Sequence, residues 1–264
     1  MNNITANIIT LNEQDNIQAC IESVKQVCDE VIVVDSGSTD DTVKIATSLG
    51  AKVYSQHYLG DGPQKNHGVQ FASNDWILSL DADERLDNDA ITAINNLTLD
   101  SSIFDAFSFH RKNYVGKHWI KAAGFYPDTV VRLYNKNSAH YRPKKAHSSV
   151  KATKVRNLNT HILHYTYTDY ANWMDRINKL SSRDAWAMYE RGIKSSVYKP
   201  FLHALTAIVR KYLFKGGCLQ GQDGMTVTVT TAFHAYMKYL KLNELHEKKT
   251  LNESPSKIPA DKHQ

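Results

Sequence analysis

The chain is short of cysteine, of long apolar runs and of most phosphate- and metal-binding signatures, and each shortage removes a class of protein. Its three cysteines, Cys20, Cys28 and Cys218, form no Cys-x-x-Cys pair. Along an expected helix Cys20 and Cys28 are separated by a rise of roughly 12 Å, too far for a disulfide. A reducing cytoplasm is the simplest reading. No stretch reaches the ~20 apolar residues of a transmembrane helix. The best one, Pro200 to Phe214, is interrupted by His203, Arg210 and Lys211. Met1 to Ala6 carry no basic region and no long apolar core, so a signal peptide is not expected. There is no Gly-x-x-x-x-Gly-Lys-[Ser/Thr] and no His-Glu-x-x-His, and Gly60-x-Gly62 lacks the third glycine of a dinucleotide fingerprint. The twelve histidines are scattered, and His140 with His147, or His161 with His164, fit core or surface roles better than a metal site. No nucleic-acid-binding module accompanies the mild formal charge of +5, so nucleic acid is not an expected partner.

What is present is enough chain, 264 residues with 42% hydrophobic, for one large domain or two small ones. Acidic residues mark the first half, and Lys and Arg are frequent after residue 110. Residues 4–10, the β-branched run 31–34, residues 51–54 and residues 76–80 read as strands. Residues 13–28, a stretch from about Asp40 and residues 62–72 read as helices between them, with Ser38-x-x-Asp41 as a capping-box start. That alternation predicts an α/β fold: a Rossmann-like, mostly parallel sheet with helices on both faces. Residues 104–109, 129–134 and 161–165 alternate like half-exposed strands of a mixed or antiparallel extension. From Asp169 the pattern is helical, with helices at 200–214 and 231–246 and an ambiguous Thr- and Val-rich stretch from Met225 to Thr231. The polar tail from Asn252 is expected to be disordered.

The chemistry gathers at strand ends. Trp76-Ile77-Leu78-Ser79-Leu80 delivers Asp81-Ala82-Asp83 to the C-terminal edge of a strand, where open α/β sheets bind ligands. Hard divalent cations take oxygen ligands and share them with phosphates, so two carboxylates there point to a metal–diphosphate site. The competing reading is a solvated loop or a cap for a helix near Asn88. Asp35 ends another strand and can accept from a ribose hydroxyl or a base N–H, or shape a turn with Gly37. Thr10-Leu11-Asn12-Glu13 faces the same crevice, as a nucleoside grip or an N-cap. Lys65 and Asn66 can reach a base or phosphate, or lie solvated. Arg132 can bind phosphate or form a structural ion pair.

With these residues in place, the chain resembles glycosyltransferase family 2, of the GT-A fold. The resemblance rests on Ile9-Thr10-Leu11-Asn12-Glu13, on Val33 through Thr42, and on Trp76 through Glu84. It is closest to the bacterial branch that adds glucose to heptose in the lipopolysaccharide inner core, through Arg132-Leu133-Tyr134, His164-Tyr165 and Leu219 through Gly224. The resemblance implies a metal-assisted, inverting hexosyltransferase that uses a UDP-sugar by single displacement. Thr10, Asn12, Glu13 and Asp35 would hold the nucleoside, with Lys65 near the uracil and Arg132 also on the donor side. Asp83 would ligate Mg²⁺ or Mn²⁺, and Asp81 the metal or the ribose. Many relatives carry an acidic residue after the histidine that aligns with His147, where this chain has Ser148. The base is therefore His147 or Asp128, with Glu84 as an alternative.

In these terms, residues 1–100 are the nucleotide-sugar half and residues 101–165 the acceptor half of one GT-A domain. Residues 166–250 are a helical extension and residues 251–264 a flexible tail. The basic, aromatic-bearing extension fits peripheral contact with an anionic membrane, and so a place at the inner face of the cytoplasmic membrane beside a lipid-linked saccharide acceptor. Transfer to polyprenyl phosphate or protein, nucleotidyl transfer, and a non-catalytic membrane-associated binding module are the alternatives.

Overall fold

The computed structural model describes residues 3–143 and 148–250, so His147 and the tail 251–264 lie outside the described residues. The chain divides into two compact units: residues up to Lys112 with Pro127–Tyr165, and Asn113–Tyr126 with the residues from Thr166 onward.

The first unit begins with four parallel strands: β1 (Ile4–Thr10), β2 (Glu30–Asp35), β3 (Lys52–Ser55) and β4 (Trp76–Asp81). They are joined by α1 (Ile17–Val24), α2 (Thr42–Ser48) and α3 (Asp61–Val69). Central strands buried on both faces need continuous apolar runs, and β1, β2 and β4 supply Ile4, Ile8, Val31, Val33, Leu78 and Leu80 to one core. Ile17, Cys20, Ile21 and Val24 recur at helical spacing and close that core from α1. The register aligns Thr10 with Asp35 and Ile9 with Asp81, so the polar ends of three strands lie level on one edge.

Beyond β4 the sheet turns antiparallel. After β5 (Glu84–Leu86) and α4 (Asn88–Asn95) come β6 (Ala106–Val115), the two-residue β7 (His118–Trp119) and β8 (Asp128–Asn135). β9 (His140–Tyr141), β10 (Val150–Lys151) and β11 (Val155–Tyr167) complete the strands. The order across the sheet is β3-β2-β1-β4-β8-β6-β11-β5, with β9 and β10 as a separate pair. The expected parallel character thus belongs to the first half, and the expected antiparallel extension to the second.

The second unit holds α5 (Tyr170–Glu190), α6 (Lys199–Ile208), a π-helical turn at Val209–Phe214, and α7 (Gly221–Thr250). Residues 113–126 fall here although they lie within the stretch read as the acceptor half. Val115, Ile120, Ala122 and Ala123 pack with Trp173, Ile177 and Val227 in this unit's core.

Two local expectations are corrected and one ambiguous stretch is resolved. The capping box at Ser38 is not formed: α2 starts at Thr42 without a side-chain cap, and the Asp40 carboxylate accepts from the Thr42 amide. The α1 helix is shorter than residues 13–28, because the Glu13 carbonyl accepts from Asn16 and Ile17 in a turn ahead of it. Met225 to Thr231 is helical. Thr226, Thr228, Thr230 and Thr231 donate their hydroxyls to carbonyls one turn back, which satisfies these residues inside a helix despite their β propensity.

α3 approaches β1 closely. A Cβ at Gly68 would lie 2.0 Å from Asn7 Oδ1 and 2.8 Å from Val34 Cγ2. Asn7 is buried and donates Nδ2 to the Lys65 carbonyl at 2.7 Å, so it has no room to yield. Gly68→Ala is expected to cost about 1–3 kcal/mol by overpacking, read as a lower urea midpoint. A midpoint equal to wild type would show that helix and strand are not in this contact.

Candidate active site

The loops after β1 and β2 are interlocked. Asp35 Oδ2 accepts from the amides of Gly37 and Ser38 at 2.9 Å each, and Oδ1 accepts from the Ser38 hydroxyl. Ser38 Oγ in turn accepts from the Asn12 amide at 2.8 Å, and Asn12 Oδ1 accepts from the Thr39 amide at 2.8 Å. Asn12 has a positive φ of 55°, a left-handed conformation that Asn tolerates better than most residues. The Glu13 amide donates to Thr42 Oγ1 at 2.8 Å. Asn12, Glu13 and Asp35 therefore fix one another's loops, and they do so on the edge where Thr10 ends its strand. Thr10 itself is buried, and its hydroxyl has no hydrogen-bond partner among the described residues.

Beside these loops runs a chain of alternating charges. Lys65 Nζ, delivered by α3, lies 2.8 Å from Asp61 and 2.9 Å from Asp81. Arg132, from β8, donates Nη2 to Asp81 Oδ2 at 3.1 Å and to Glu84 Oε1 at 2.6 Å, and Nη1 to the Tyr141 hydroxyl at 3.0 Å. Arg111 reaches the same Glu84 oxygen at 3.2 Å and holds Asp128 through Nε at 2.9 Å and Nη2 at 2.8 Å. The sequence Asp61–Lys65–Asp81–Arg132–Glu84–Arg111–Asp128 has four carboxylates and three cations, formally −1.

Burial alone would neutralise these groups, and their neighbours prevent it. Burial works against the charge of Lys65, but Asp81, with Tyr141 and Asp61, lifts its affinity for the proton above the ordinary lysine value. Burial likewise pushes Asp81 up, and Lys65 and Arg132 outweigh it, holding the carboxyl well below the usual carboxylate range. Glu84, Tyr141 and Asp81 similarly keep Arg132 charged against desolvation.

Each expected site residue among the described ones can now be placed. Lys65 is buried and engaged at Asp61 and Asp81. Asn66 exchanges both its amide groups with the Tyr141 backbone, at 2.9 and 3.1 Å. Arg132 takes the structural ion-pair option. Glu84 is withdrawn as a base: it is fully buried, accepts from two guanidiniums, and receives the Asp81 amide at 3.2 Å on its other oxygen. Asp128 is partly exposed at the start of β8. Asp83 is buried just after β4, with His164 Nε2 at 3.4 Å from its Oδ2. Sequence reasoning missed Asp61, Arg111 and Tyr141 and set His164 aside. The Asp61–Lys65 spacing of four on a helix was a readable signal, and β11 brings His164 opposite Glu84.

Among the described residues no group of three or more His, Cys, Asp or Glu is gathered as a ready metal nest. The donor set nevertheless fits a cation shared with a ligand. Asp83 supplies carboxylate oxygens and His164 an imidazole, with Asp81 on the same turn. Mg²⁺ and Mn²⁺ accept few protein ligands and fill the remaining positions with phosphate oxygens and water.

Comparison with known proteins places these residues within a matched region. The family model described as Glycosyl transferase family 2 matches residues 5–168. An uncharacterized glycosyltransferase of Rickettsia typhi is 31% identical over 266 residues, covering 93% of this chain and 88% of that protein. A lipopolysaccharide core biosynthesis glycosyltransferase of Rhizobium meliloti is 27% identical over 256 residues, covering 92% of this chain and 93% of its own. Among solved structures, glucosyl-3-phosphoglycerate synthase from Mycobacterium tuberculosis, in complex with Mn²⁺, UDP and glucosyl-3-phosphoglycerate, is 28% identical. It covers 44% of each chain with a TM-score of 0.33, a likeness too low to bear on the fold or chemistry of this one.

The charge chain has a pH signature. Asp81 is depressed in the folded chain, so its ionisation stabilises the fold above the ordinary carboxylate pKa near 4 and that contribution is lost as pH falls through the folded value. Lys65→Met removes one of the two cations responsible and is expected to cost about 1.5–3 kcal/mol at neutral pH. Its acid-unfolding midpoint should move to higher pH, followed by circular dichroism. An unchanged midpoint would contradict the pairing.

Proposed function

Since the chain belongs to glycosyltransferase family 2, we propose that this strand edge is the donor site of an inverting hexosyltransferase acting from a UDP-sugar onto a lipopolysaccharide inner-core heptose. The chain is a glycosyltransferase, and its α/β domain with C-terminal helices is the GT-A arrangement. The observation that carries the finer reading is the level edge: Thr10, Asp35 and Asp81 end adjacent strands in register, and Asp83 follows beside His164. The acceptor class is supported by the similarity to the Rhizobium meliloti protein along nearly the whole chain.

In this reading the interlocked loops hold the nucleoside, through Thr10, Asn12, Glu13 and Asp35. The orphaned Thr10 hydroxyl supports a polar ligand there. Lys65 and Arg132 act through Asp81: they keep it ionised and fix the turn that presents Asp83. Asp83 and His164, with Asp81 at the margin, are the residues that would hold a divalent cation. When bound, such a cation neutralises charge developing on the departing diphosphate.

Transfer then needs one base. It takes the proton of the acceptor hydroxyl as that oxygen bonds to the anomeric carbon, and the bond from that carbon to the diphosphate oxygen breaks, releasing UDP. His147 and Asp128 are the two bases proposed. Asp128 is held by Arg111, and His147 directly precedes Ser148, whose amide donates to Asp61 at 2.8 Å. Asp128 and the Ser148 amide thus mark the two ends of the charge chain. The reading also places the enzyme at the inner face of the cytoplasmic membrane, where a lipid-linked acceptor is available to a UDP-sugar.

UDP release across a panel of UDP-sugars, with a heptose-terminated lipid A core as acceptor, tests the proposal. Activity is expected with Mg²⁺ or Mn²⁺ and not with EDTA, and Asp83→Ala should lower kcat by about 10²–10³ without unfolding. Pyrophosphate release in place of UDP, or full activity of Asp83→Ala, would overturn it. For the base, either His147→Ala or Asp128→Asn should lose about 10²–10⁴ in kcat. If both variants keep near wild-type kcat, the base lies elsewhere.

A further inference from the structure

The C-terminal unit turns an apolar stripe of α6 outward. Phe201, Leu202, Leu205 and Ile208 recur at helical spacing and are 40–62% exposed. The opposite positions, His203, Thr206, Ala207 and Arg210, face α7 and line a cavity of about 250 Å³. A helix of a water-soluble protein arranges these the other way, with its apolar stripe inward. α7 continues the pattern, with Met225, Val229 and Phe233 exposed at intervals of four. Phe214 and Leu219, between the two helices, are 82% and 87% exposed.

Charge accompanies the exposed apolar groups. From Arg191 to Gln222 there is no Asp or Glu, while Arg191, Lys194, Lys199, Arg210, Lys211 and Lys215 supply six positive charges. From α7 the cavity receives Thr231, His234, Lys238 and Tyr239. His234 is paired with Asp184 at 3.3 Å, whereas Arg210 and Lys238 form no ion pair among the described residues. His203 stacks on Tyr239, with ring centroids 3.9 Å apart. Burial, with Lys238 and Lys199, holds His203 below its ordinary value, and burial, with Arg210 and Lys215, does the same to Lys211. At the cavity, Lys238 and Lys199 thus add like-charge repulsion at His203 to the larger effect of burial. No helix among the described residues is long and apolar enough to cross a membrane.

We propose that the α6–α7 face docks on an anionic lipid monolayer, with the stripe entering the acyl region and the cavity taking one glycerophospholipid phosphate between Arg210 and Lys238. Basic residues around exposed aromatic and aliphatic groups are the composition of an interfacial helix, and the absence of carboxylates from residues 191–222 favours an anionic lipid surface over a protein partner of mixed charge. The inference deepens the membrane-side placement proposed above. It is independent of which sugar is moved or which residue is the base.

Flotation of the full chain with two vesicle types tests it: phosphatidylcholine alone, and phosphatidylcholine with phosphatidylglycerol. Wild type should float with the anionic vesicles and remain largely unbound with the neutral ones. Arg210→Gln with Lys238→Gln should weaken partitioning about 25-fold, at roughly five-fold for each charge. Leu202→Ser with Leu205→Ser should abolish it, while the exposed control pair Lys25→Gln with Lys44→Gln changes it little. Thermal unfolding checks that each variant is folded, and the two wild-type arms need no variant. No flotation of wild type, or flotation unaffected by both test pairs, overturns the proposal. So does sedimentation showing that the stripe instead seals a dimer that ignores vesicles. UDP release with a lipid-free heptose acceptor, run in parallel, separates the claims: transfer without flotation refutes the docking face alone, and flotation without transfer refutes the proposed reaction alone.

Discussion

The Arg132 guanidinium, buried between Asp81 and Glu84, is the contact on which the rest of the site depends. A buried cation is tolerated only when oppositely charged partners surround it. Satisfying it draws the ends of β4, β5 and β8 together. Each partner then needs a cation of its own. Lys65 completes Asp81 from α3, and Arg111 completes Glu84 from β6 before passing to Asp128. The result is a row of charge that joins the parallel half of the sheet to the antiparallel half. Such a row does not make the domain more stable than a well-packed apolar one would. It fixes the position of one turn, Asp81 to Glu84.

That turn explains the division of labour between two carboxylates that look equivalent in sequence. Asp81 faces two cations and is committed to them. Asp83, two residues on, is buried and lies 3.4 Å from His164 through its Oδ2. The site as proposed separates a carboxylate that holds the architecture from one that meets the ligand. A similar economy governs the nucleoside side. Asp35 uses its oxygens to shape the loop that carries Ser38, and Ser38 anchors Asn12, so the two strand ends become one surface.

Much of this was legible in the sequence. Four parallel strands were readable because β-branched and apolar runs are interrupted by polar residues at the same relative position, which also exposed Asp35 and Asp81 as edge residues. Less legible was anything decided by long-range partners. Arg132 meets Glu84 across 48 residues of chain, and Arg111 meets Asp128 through cross-strand pairing, so neither pair follows from local pattern. Lys65 reads as a surface lysine until its helix is packed on β1. The threonines of α7 leave the stretch ambiguous until their hydroxyls find carbonyls within the helix. The outward stripe of α6 was visible as amphipathicity, but which face is buried is decided only by packing on α7.

The central claim is that Asp83, presented by the Asp81–Arg132–Glu84 turn, meets a cation shared with a nucleoside diphosphate. Calorimetric titration of UDP into the full chain, with and without Mn²⁺, tests it most directly because it requires neither the sugar nor the acceptor. The account predicts that UDP binds measurably only with Mn²⁺, and that Asp83→Asn, still folded, loses the metal-dependent part. UDP binding that is equally tight without metal, or unchanged in Asp83→Asn, would contradict it.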